Sequence, residues 1–319
     1  MLAPSIPQGG SCLAFGVCCW NDITLMIGDN SNIGRLKFIT SQTSQTSQTS
    51  QTSQTSKTSK TSKTSYLEAS CIQNYFYFCT MCFHYSITQK MAIIEDNLRV
   101  HWEGQEWQPV YHASGFSFLQ MPVITQADPK YVQLFNWGLI PSWIKTKIDA
   151  DKLKAQTLNA RSETAFEKPS FRSGIKYNRC LIPADGFFEW REVNKKKYPH
   201  FIFMKNKQMF CFGGIYANWT DRFTGELIQS FSILTTDANP MMEKIHNSKK
   251  RMPVIIPSNE YAHWLDNNLM PKDIQQFFKP FSESEMTYHT ISKLITSRVE
   301  NSNVPEVLEA VEYAELVKV

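Results

Sequence analysis

Residues 179–191 have the sequence RCLIPADGFFEWR, and this stretch is the best guide to the fold. Its two ends, 179–182 and 187–191, are short β-type runs bounded by turn residues, which is typical of strands. Runs of the same type occur at 131–135, 201–204, 209–216, 231–235 and 252–256. Residues 221–225 fit a hairpin loop between two of these runs. We therefore expect β-sheet to dominate the part of the chain that carries them.

Helical segments are fewer. Asn239 followed by Pro240 has the pattern of a helix start, with Asn as the N-cap and Pro at the first helical position. Further helices are expected from about 259 to 267, behind Ser258, and from 297 to 317, with an interruption at Pro305. The chain is thus expected to form one α+β domain, residues 81–319, built on antiparallel sheet.

Residues 1–80 differ in character from the rest. Residues 41–65 repeat Ser-Gln-Thr and then Lys-Thr-Ser, a period of three that fits neither helix nor strand and offers nothing to bury. This composition predicts disorder. We interpret residues 1–80 as an over-extended gene model or a removable leader, and a genuine Ser/Thr-rich linker is the alternative.

Composition excludes some classes of protein and leaves others open. The 319 residues are 42% hydrophobic and 13% aromatic, enough for one large or two small domains. The sequence holds no apolar run of about 18 residues and no signal-peptide pattern, so neither a membrane span nor secretion is expected. A net charge of +4 is compatible with a nucleic-acid partner but does not identify one. Six of the eight cysteines fall within the first 82 residues, which fits a reducing, cytosolic protein better than a disulfide framework.

Reactive side chains concentrate in four short segments, residues 81–85, 158–164, 184–190 and 245–253. Each residue taken singly has a structural explanation. Cys82 could be a buried thiol, Glu189 could lie on the solvated face of a strand, His246 could interact with a helix dipole, Asn159 could be a turn or cap residue, and Arg161 could pair with Glu163.

The spacing of cysteine, histidine and asparagine residues is compatible with two other sites, a metal site and a peptidase site. Cys79 and Cys82 have the Cys-x-x-Cys spacing of zinc ligands, and His84 follows, but no second Cys or His pair occurs downstream. No metal is therefore expected. Cys82, His246 and Asn159 formally supply a Cys-His-Asn peptidase set, although the local signature of papain-like nucleophiles is missing around Cys82.

The four segments in this order resemble the SOS response-associated peptidase (SRAP) domain family. The similarity rests on Cys82 directly after Met81, Asn159-Ala160-Arg161-Ser162-Glu163-Thr164, Asp185-Gly186-Phe187-Phe188-Glu189-Trp190, and His246 ahead of Arg251-Met252-Pro253. Residues 137–143, Trp-Gly-Leu-Ile-Pro-Ser-Trp, are also similar. The match covers residues 81 to about 270, and it implies a single barrel-like domain.

The resemblance implies an enzyme that crosslinks itself to abasic sites in single-stranded DNA. Cys82 would be freed as the N-terminal residue, its α-amine would form a Schiff base with the sugar aldehyde, and its thiol would close a thiazolidine ring. No cofactor is implied. The implied partner is single-stranded DNA containing abasic sites, and the expected protein is a monomer away from membranes, in the cytoplasm at damaged DNA.

The resemblance also implies a role for each residue that matches a functional position of the family. The resemblance implies that Asn159 orients the opened sugar or the amine, that Glu189 moves protons, and that His246 is a second acid or base that also contacts phosphate. The DNA contacts it implies are Arg161, Arg251, Trp137, Trp143, His84, Lys249 and Lys250. For the two tryptophans, ordinary core packing is the alternative to stacking on bases.

Three departures from the family pattern affect these roles. Phe83 and His84 stand where the family often has Gly and Arg. A phosphate contact from His84 would therefore be weak, and its strength would depend on pH. The spacing from His246 to Arg251 is longer than usual, which brings in Lys249 or Lys250. Residues 111–115, with His112, replace a Tyr-Asn-x-x-Pro segment.

Two other functions remain open from sequence. A thiol peptidase that removes its own leader would cleave between Met81 and Cys82. A non-catalytic single-strand binding module would bind in a salt-dependent way and leave no covalent product.

Overall fold

The structure, a computed structural model, describes residues 82–317. The expectations for residues 1–80 and for Met81 lie outside the described residues. The strands are β1 (His84–Ile87), β2 (Val110–Ser114), β3 (Gln120–Thr125), β4 (Gln133–Trp137), β5 (Asn159–Arg161), β6 (Arg179–Ala184), β7 (Gly186–Val193), β8 (Lys196–Met204), β9 (Phe210–Thr220), β10 (Leu227–Asp237), β11 (Arg251–Pro253), β12 (Ile255–Ile256) and β13 (Met286–Thr290).

The helices are short. They are α1 (Met91–Leu98), α2 (Lys147–Lys154), α3 (Arg172–Tyr177), α4 (Pro240–Ile245), α5 (Tyr261–Trp264), α6 (Pro271–Ile274) and α7 (Ala314–Val317). Single 3₁₀ turns occur at Gly115–Ser117, Ser162–Thr164, Ser258–Glu260, Gln275–Phe277, Glu283–Glu285, Lys293–Thr296 and Pro305–Leu308. Among the described residues, no helix is long and apolar enough to cross a bilayer.

Five strands close into a barrel in the order β10-β4-β3-β6-β9, because β9 pairs with β10 as well as with β6. Only the β4–β10 contact within this ring is parallel. Beyond the ring, β10 continues and pairs with β5 and β11 near its end. Closure satisfies the backbone hydrogen bonds that open edges would leave unpaired. The expected α+β fold on a barrel-like, largely antiparallel sheet is confirmed.

A second sheet, in the order β13-β8-β7-β1-β2, packs against the barrel. Tyr85 and Phe187, paired across β1 and β7, both contact Phe212 of the barrel, with ring centroids 5.7 Å and 6.0 Å away. Phe188 points to the opposite face, where it packs with the apolar residues Phe201, Ile291, Ile295 and Val307. Both faces of β7 are therefore covered.

The sequence located most strands and one helix start correctly. Asn239 caps α4, since its side-chain oxygen accepts a hydrogen bond from the Met242 N–H, and Pro240 is the first helical residue. The helix expected at 259–267 is shorter, a 3₁₀ turn followed by α5. The hairpin loop at 221–225 connects β9 and β10.

The helix expected from 297 to 317 is wrong. This part of the chain contains only the turn Pro305–Leu308 and α7. It runs along the second sheet, where Val307 is buried and the Val311 N–H donates to the Thr290 carbonyl. Tertiary packing and backbone pairing replace the helix that the composition allowed.

Candidate active site

Four of the residues singled out from sequence meet at one buried place. Cys82 lies two residues before the start of β1, Asn159 begins β5, Glu189 lies in the middle of β7, and His246 is the C-cap of α4. Each of these side chains is at most 4% exposed. The structural alternative for Glu189, a position on the solvated face of a strand, does not apply, because both faces of β7 are covered at this point.

The reactive atoms are close together. One ligand-type atom each from Cys82, Glu189 and His246 lie within 4.8 Å of one another. The closest Glu189 oxygen to His246 Nδ1 is Oε1, at 3.6 Å. Asn159 Nδ2 donates a hydrogen bond of 3.1 Å to the carbonyl oxygen of Cys82 and so fixes the backbone beside the thiol.

A backbone carbonyl fixes the orientation of the His246 ring. Its Nδ1 lies 3.0 Å from the Arg251 carbonyl oxygen, to which an Nδ1–H would donate. This contact could not be predicted from sequence, because any residue type can supply a backbone carbonyl. With Nδ1 as the donor, Nε2 carries the lone pair and is free to act as a base.

Burial governs the electrostatics of the site. It raises the pKa of the Glu189 carboxyl, while the neighbouring His246 opposes that rise. Burial also raises the pKa of the Cys82 thiol well above its usual value, and Glu189 adds to the increase. Glu189 Oε1 and Asn159 Oδ1 have no hydrogen-bond partner among the described residues. Buried polar atoms without partners are rare in proteins and are typical of sites that bind something.

The raised pKa of Glu189 predicts how stability depends on pH. A carboxyl whose folded pKa exceeds its unfolded pKa stabilises the fold at low pH, and that contribution is lost as pH rises through the folded pKa. Glu189→Gln removes the titration while keeping the shape. We expect urea unfolding to show the variant gaining stability relative to the wild type between about pH 4 and about pH 8. An equal difference at both pH values would contradict the buried, raised carboxyl.

The expected DNA contacts divide into exposed and buried groups. Trp143 is 53% exposed, and Arg161, Lys249 and Lys250 are also exposed. Trp137 is 1% exposed, and its indole N–H donates to the Leu158 carbonyl. An indole without an accessible face does not stack on a base, so Trp137 belongs to the core.

His84 does not fit the expected pH-dependent phosphate contact. Its Nδ1 lies 2.8 Å from His112 Nε2, and His112 Nδ1 lies 2.7 Å from Ser302 Oγ. Burial lowers the pKa of His84 to about 3, so the ring is neutral at physiological pH. The departures from the family pattern at 84 and 112 are thus in direct contact with each other. Ser302, which follows His84 and His112 in this chain of contacts, could not be predicted from the sequence.

Arg251 also has a structural role instead of the expected phosphate contact. Arg251 is 5% exposed, and its guanidinium donates to both oxygens of Glu163, to Asp237 and to the Thr235 carbonyl. This network holds β11 against β10, directly after the loop that carries His246. It also occupies Glu163, the partner that the sequence suggested for Arg161.

Breaking the Glu163–Arg251 pair is expected to weaken the fold and leave DNA affinity unaffected. Glu163→Gln should lower the free energy of unfolding by about 1–2 kcal/mol, because charge-assisted bonds to a half-exposed carboxylate are lost. Denaturant unfolding and the salt dependence of single-strand binding measure the two effects. An increased salt slope with unchanged stability would instead indicate that Arg251, released from Glu163, contacts phosphate.

The zinc alternative based on Cys79 and Cys82 stays untested. His84 Nδ1 contacts His112, and Cys79 lies outside the described residues.

Comparison with known proteins identifies a family and several relatives. Residues 81–298 match the family model described as SOS response associated peptidase (SRAP). The chain is 34% identical over 207 residues to the abasic site processing protein YoqW of Bacillus subtilis, covering 64% of this chain and 88% of that protein. It is 28% identical over 238 residues to the abasic site processing protein HMCES of Xenopus tropicalis, covering 66% of this chain and 68% of that protein.

A solved structure is similar as well. The crystal structure of a protein from Bacteroides thetaiotaomicron superposes with a TM-score of 0.69 at 36% identity, covering 72% of this chain and all of that one.

Proposed function

The chain belongs to the SOS response associated peptidase family, and on that premise we propose that it captures abasic sites in single-stranded DNA through a covalent bond to Cys82. The observation that carries the proposal is the buried cluster of Cys82, Glu189 and His246, with Asn159 hydrogen-bonded to the Cys82 backbone. Relatives with similar sequences are named abasic site processing proteins. These names support a DNA-repair protein that acts on abasic sites.

The chemistry needs both nucleophiles of one cysteine. The α-amine of Cys82 attacks the C1′ aldehyde of the opened sugar, and loss of one water leaves an imine. The thiol sulfur then adds to the imine carbon while the thiol proton moves to the nitrogen, which closes a five-membered thiazolidine. Because amine and thiol are two carbons apart, ring closure is intramolecular and strongly favoured. An amide bond to Met81 would remove the amine nucleophile, so the active form begins at Cys82.

Each neighbour of Cys82 has a role in these reaction steps. Asn159 orients the Cys82 backbone, and with it the amine, through the bond from Nδ2. Glu189, with its raised pKa and its position beside the thiol, gives a proton to the departing water and accepts one from the thiol. His246 supplies a second proton acceptor within the same cluster.

Exposed side chains supply the DNA contacts. We assign phosphate binding to Arg161, Lys249 and Lys250 and base stacking to Trp143, because these side chains are accessible. The single-strand preference, the monomeric state and the cytoplasmic location at damaged DNA stay predictions.

Trp143→Ala is expected to weaken binding to undamaged single-stranded DNA about 5- to 100-fold, the effect of losing one base–aromatic stack. Its stability should change little because the ring is 53% exposed. Fluorescence anisotropy at fixed salt measures the affinity. Tyr177→Ala, which removes another exposed aromatic ring, is the matched control. Equal affinities for Trp143→Ala and the wild type would remove Trp143 from the interface.

The direct test uses protein that begins at Cys82 and a single-stranded oligonucleotide with one abasic site. A product that survives heating in detergent is expected, and protein that retains Met81 should not form it. A non-catalytic binding module would retard the same DNA without a covalent product. Absence of the product from the protein beginning at Cys82 would refute the proposal.

The same cluster also favours a second activity, removal of the chain ahead of Cys82. The Cys82 thiol is adjacent to the Met81 carbonyl, so an acyl shift from nitrogen to sulfur followed by hydrolysis would release the amine. Glu189 and His246 are placed to move the protons. Full-length protein should then yield a fragment whose mass begins at Cys82, and Glu189→Gln should yield less. Retention of the whole chain by purified wild type would argue against self-processing.

A further inference from the structure

Three different metal-binding groups converge at the proposed capture site. We propose that Cys82, Glu189 and His246 also form a Zn²⁺ site, and that zinc bound there blocks the capture of abasic DNA. The blocking effect rests on the proposed function, whereas the binding of zinc does not. The thiolate, carboxylate and imidazole donors are those that zinc prefers in proteins.

The spacing of the donors suits a single ion. A tetrahedral zinc ion with bonds of about 2.0–2.3 Å holds its ligand atoms roughly 3.3–3.8 Å apart. One donor atom from each of Cys82, Glu189 and His246 lies within 4.8 Å of the other two. Side-chain shifts of about 1 Å would complete the arrangement.

The surroundings of His246 match those of a zinc ligand. Metal-binding histidines usually donate the other ring N–H to a carboxylate or a backbone carbonyl, which fixes the ring. The Arg251 carbonyl, 3.0 Å from His246 Nδ1, is positioned to serve in this way. The β10–β11 network around Arg251 holds that carbonyl in place.

The chemistry of the site also favours a dication. Glu189 Oε1 lacks a hydrogen-bond partner among the described residues. On binding, the Cys82 thiol gives its proton to solvent, and the thiolate and carboxylate together balance the charge of Zn²⁺. Buried charges are stable when they are paired or bound to a metal.

Release of the Cys82 α-amine would supply a fourth ligand. Amine and thiolate of one cysteine close a five-membered chelate ring on a metal, just as they close one on an aldehyde carbon. The lone pairs that bind zinc are then the ones that attack the sugar, so metal and abasic site exclude each other. The chain would bind zinc more tightly after Met81 is lost.

Metal binding is tested without DNA. Metal-free protein that begins at Cys82 is titrated with Co²⁺, and we expect the near-ultraviolet absorption of a thiolate–cobalt bond, which Zn²⁺ then abolishes. Cys82→Ser should remove the band, and Glu189→Gln and His246→Ala should each weaken binding at least about tenfold. Cys180→Ala, which removes another fully buried thiol, is the control that should keep the band. Protein that retains Met81 should bind at least about tenfold more weakly.

Inhibition is tested with abasic DNA. Micromolar Zn²⁺ should slow adduct formation by the protein that begins at Cys82, and a chelator should restore it. Absence of the thiolate–cobalt band, or a band that persists in Cys82→Ser, overturns the zinc site. Adduct formation in the presence of chelator without a cobalt band leaves the proposed function standing and removes only the zinc site. A cobalt band in protein that forms no adduct leaves the zinc site standing and removes the proposed function.

Discussion

Cys82→Ser is expected to abolish the heat-stable adduct with abasic DNA while leaving a weaker, reducible one. The serine amine still forms an imine, but a hydroxyl closes the corresponding ring far less readily than a thiol, so the imine hydrolyses on heating. We expect at least about a 100-fold loss of heat-stable product, given the contribution of intramolecular ring closure. Denaturing gels with and without borohydride reduction distinguish the two products.

Cys180→Ala serves as the control for this experiment, because Cys180 lies fully buried in the barrel. It should lose some stability and keep its crosslinking rate at a temperature where it is folded. A heat-stable adduct of unchanged yield in Cys82→Ser would place the reactive group elsewhere in the chain.

Glu189→Gln should slow adduct formation by about 10²- to 10⁴-fold at neutral pH, the usual contribution of a positioned acid or base. The amide keeps the volume of the side chain and loses only proton transfer. The wild-type rate should fall as pH rises through the raised pKa of Glu189, because less protonated acid remains to assist the loss of water. The rate of the variant should lack this dependence.

The matched control is Glu192→Gln, which changes an exposed carboxylate on the same strand. Its rate should equal that of the wild type across the pH range. If Glu189→Gln also crosslinks at the wild-type rate, His246 or solvent carries the protons and the role of Glu189 is structural.

The sheet framework could be predicted because its strands carry local signals. The segment 179–191 produced β6 and β7, and Asn239 with Pro240 marked the start of α4. The C-terminal part could not be predicted in the same way. Its structure depends on contact with the second sheet, as with the buried Val307, and such long-range packing leaves no local pattern.

The four residues of the site were identified by family motifs, and the structure brings them together. The DNA contacts were less predictable, since the type of residue does not reveal whether its surroundings are covered. Trp137, His84 and Arg251 have suitable chemistry, yet each has buried partners: the Leu158 carbonyl, His112 and Glu163. Trp143 and Arg161 are equally suitable by residue type and are exposed. Alternation along β7 is likewise no guide to the exposure of Glu189, because both faces of the strand are packed there.

Intact mass spectrometry of the adduct tests the central claim most directly. Protein that begins at Cys82, incubated with single-stranded DNA containing one abasic site, should give a species equal in mass to protein plus DNA minus one water. Proteolysis should place the modification on Cys82, and borohydride should leave the mass unchanged because a thiazolidine has no imine to reduce. A modification on a lysine, a mass that increases on reduction, or no adduct at all would contradict capture by the amine and thiol of Cys82.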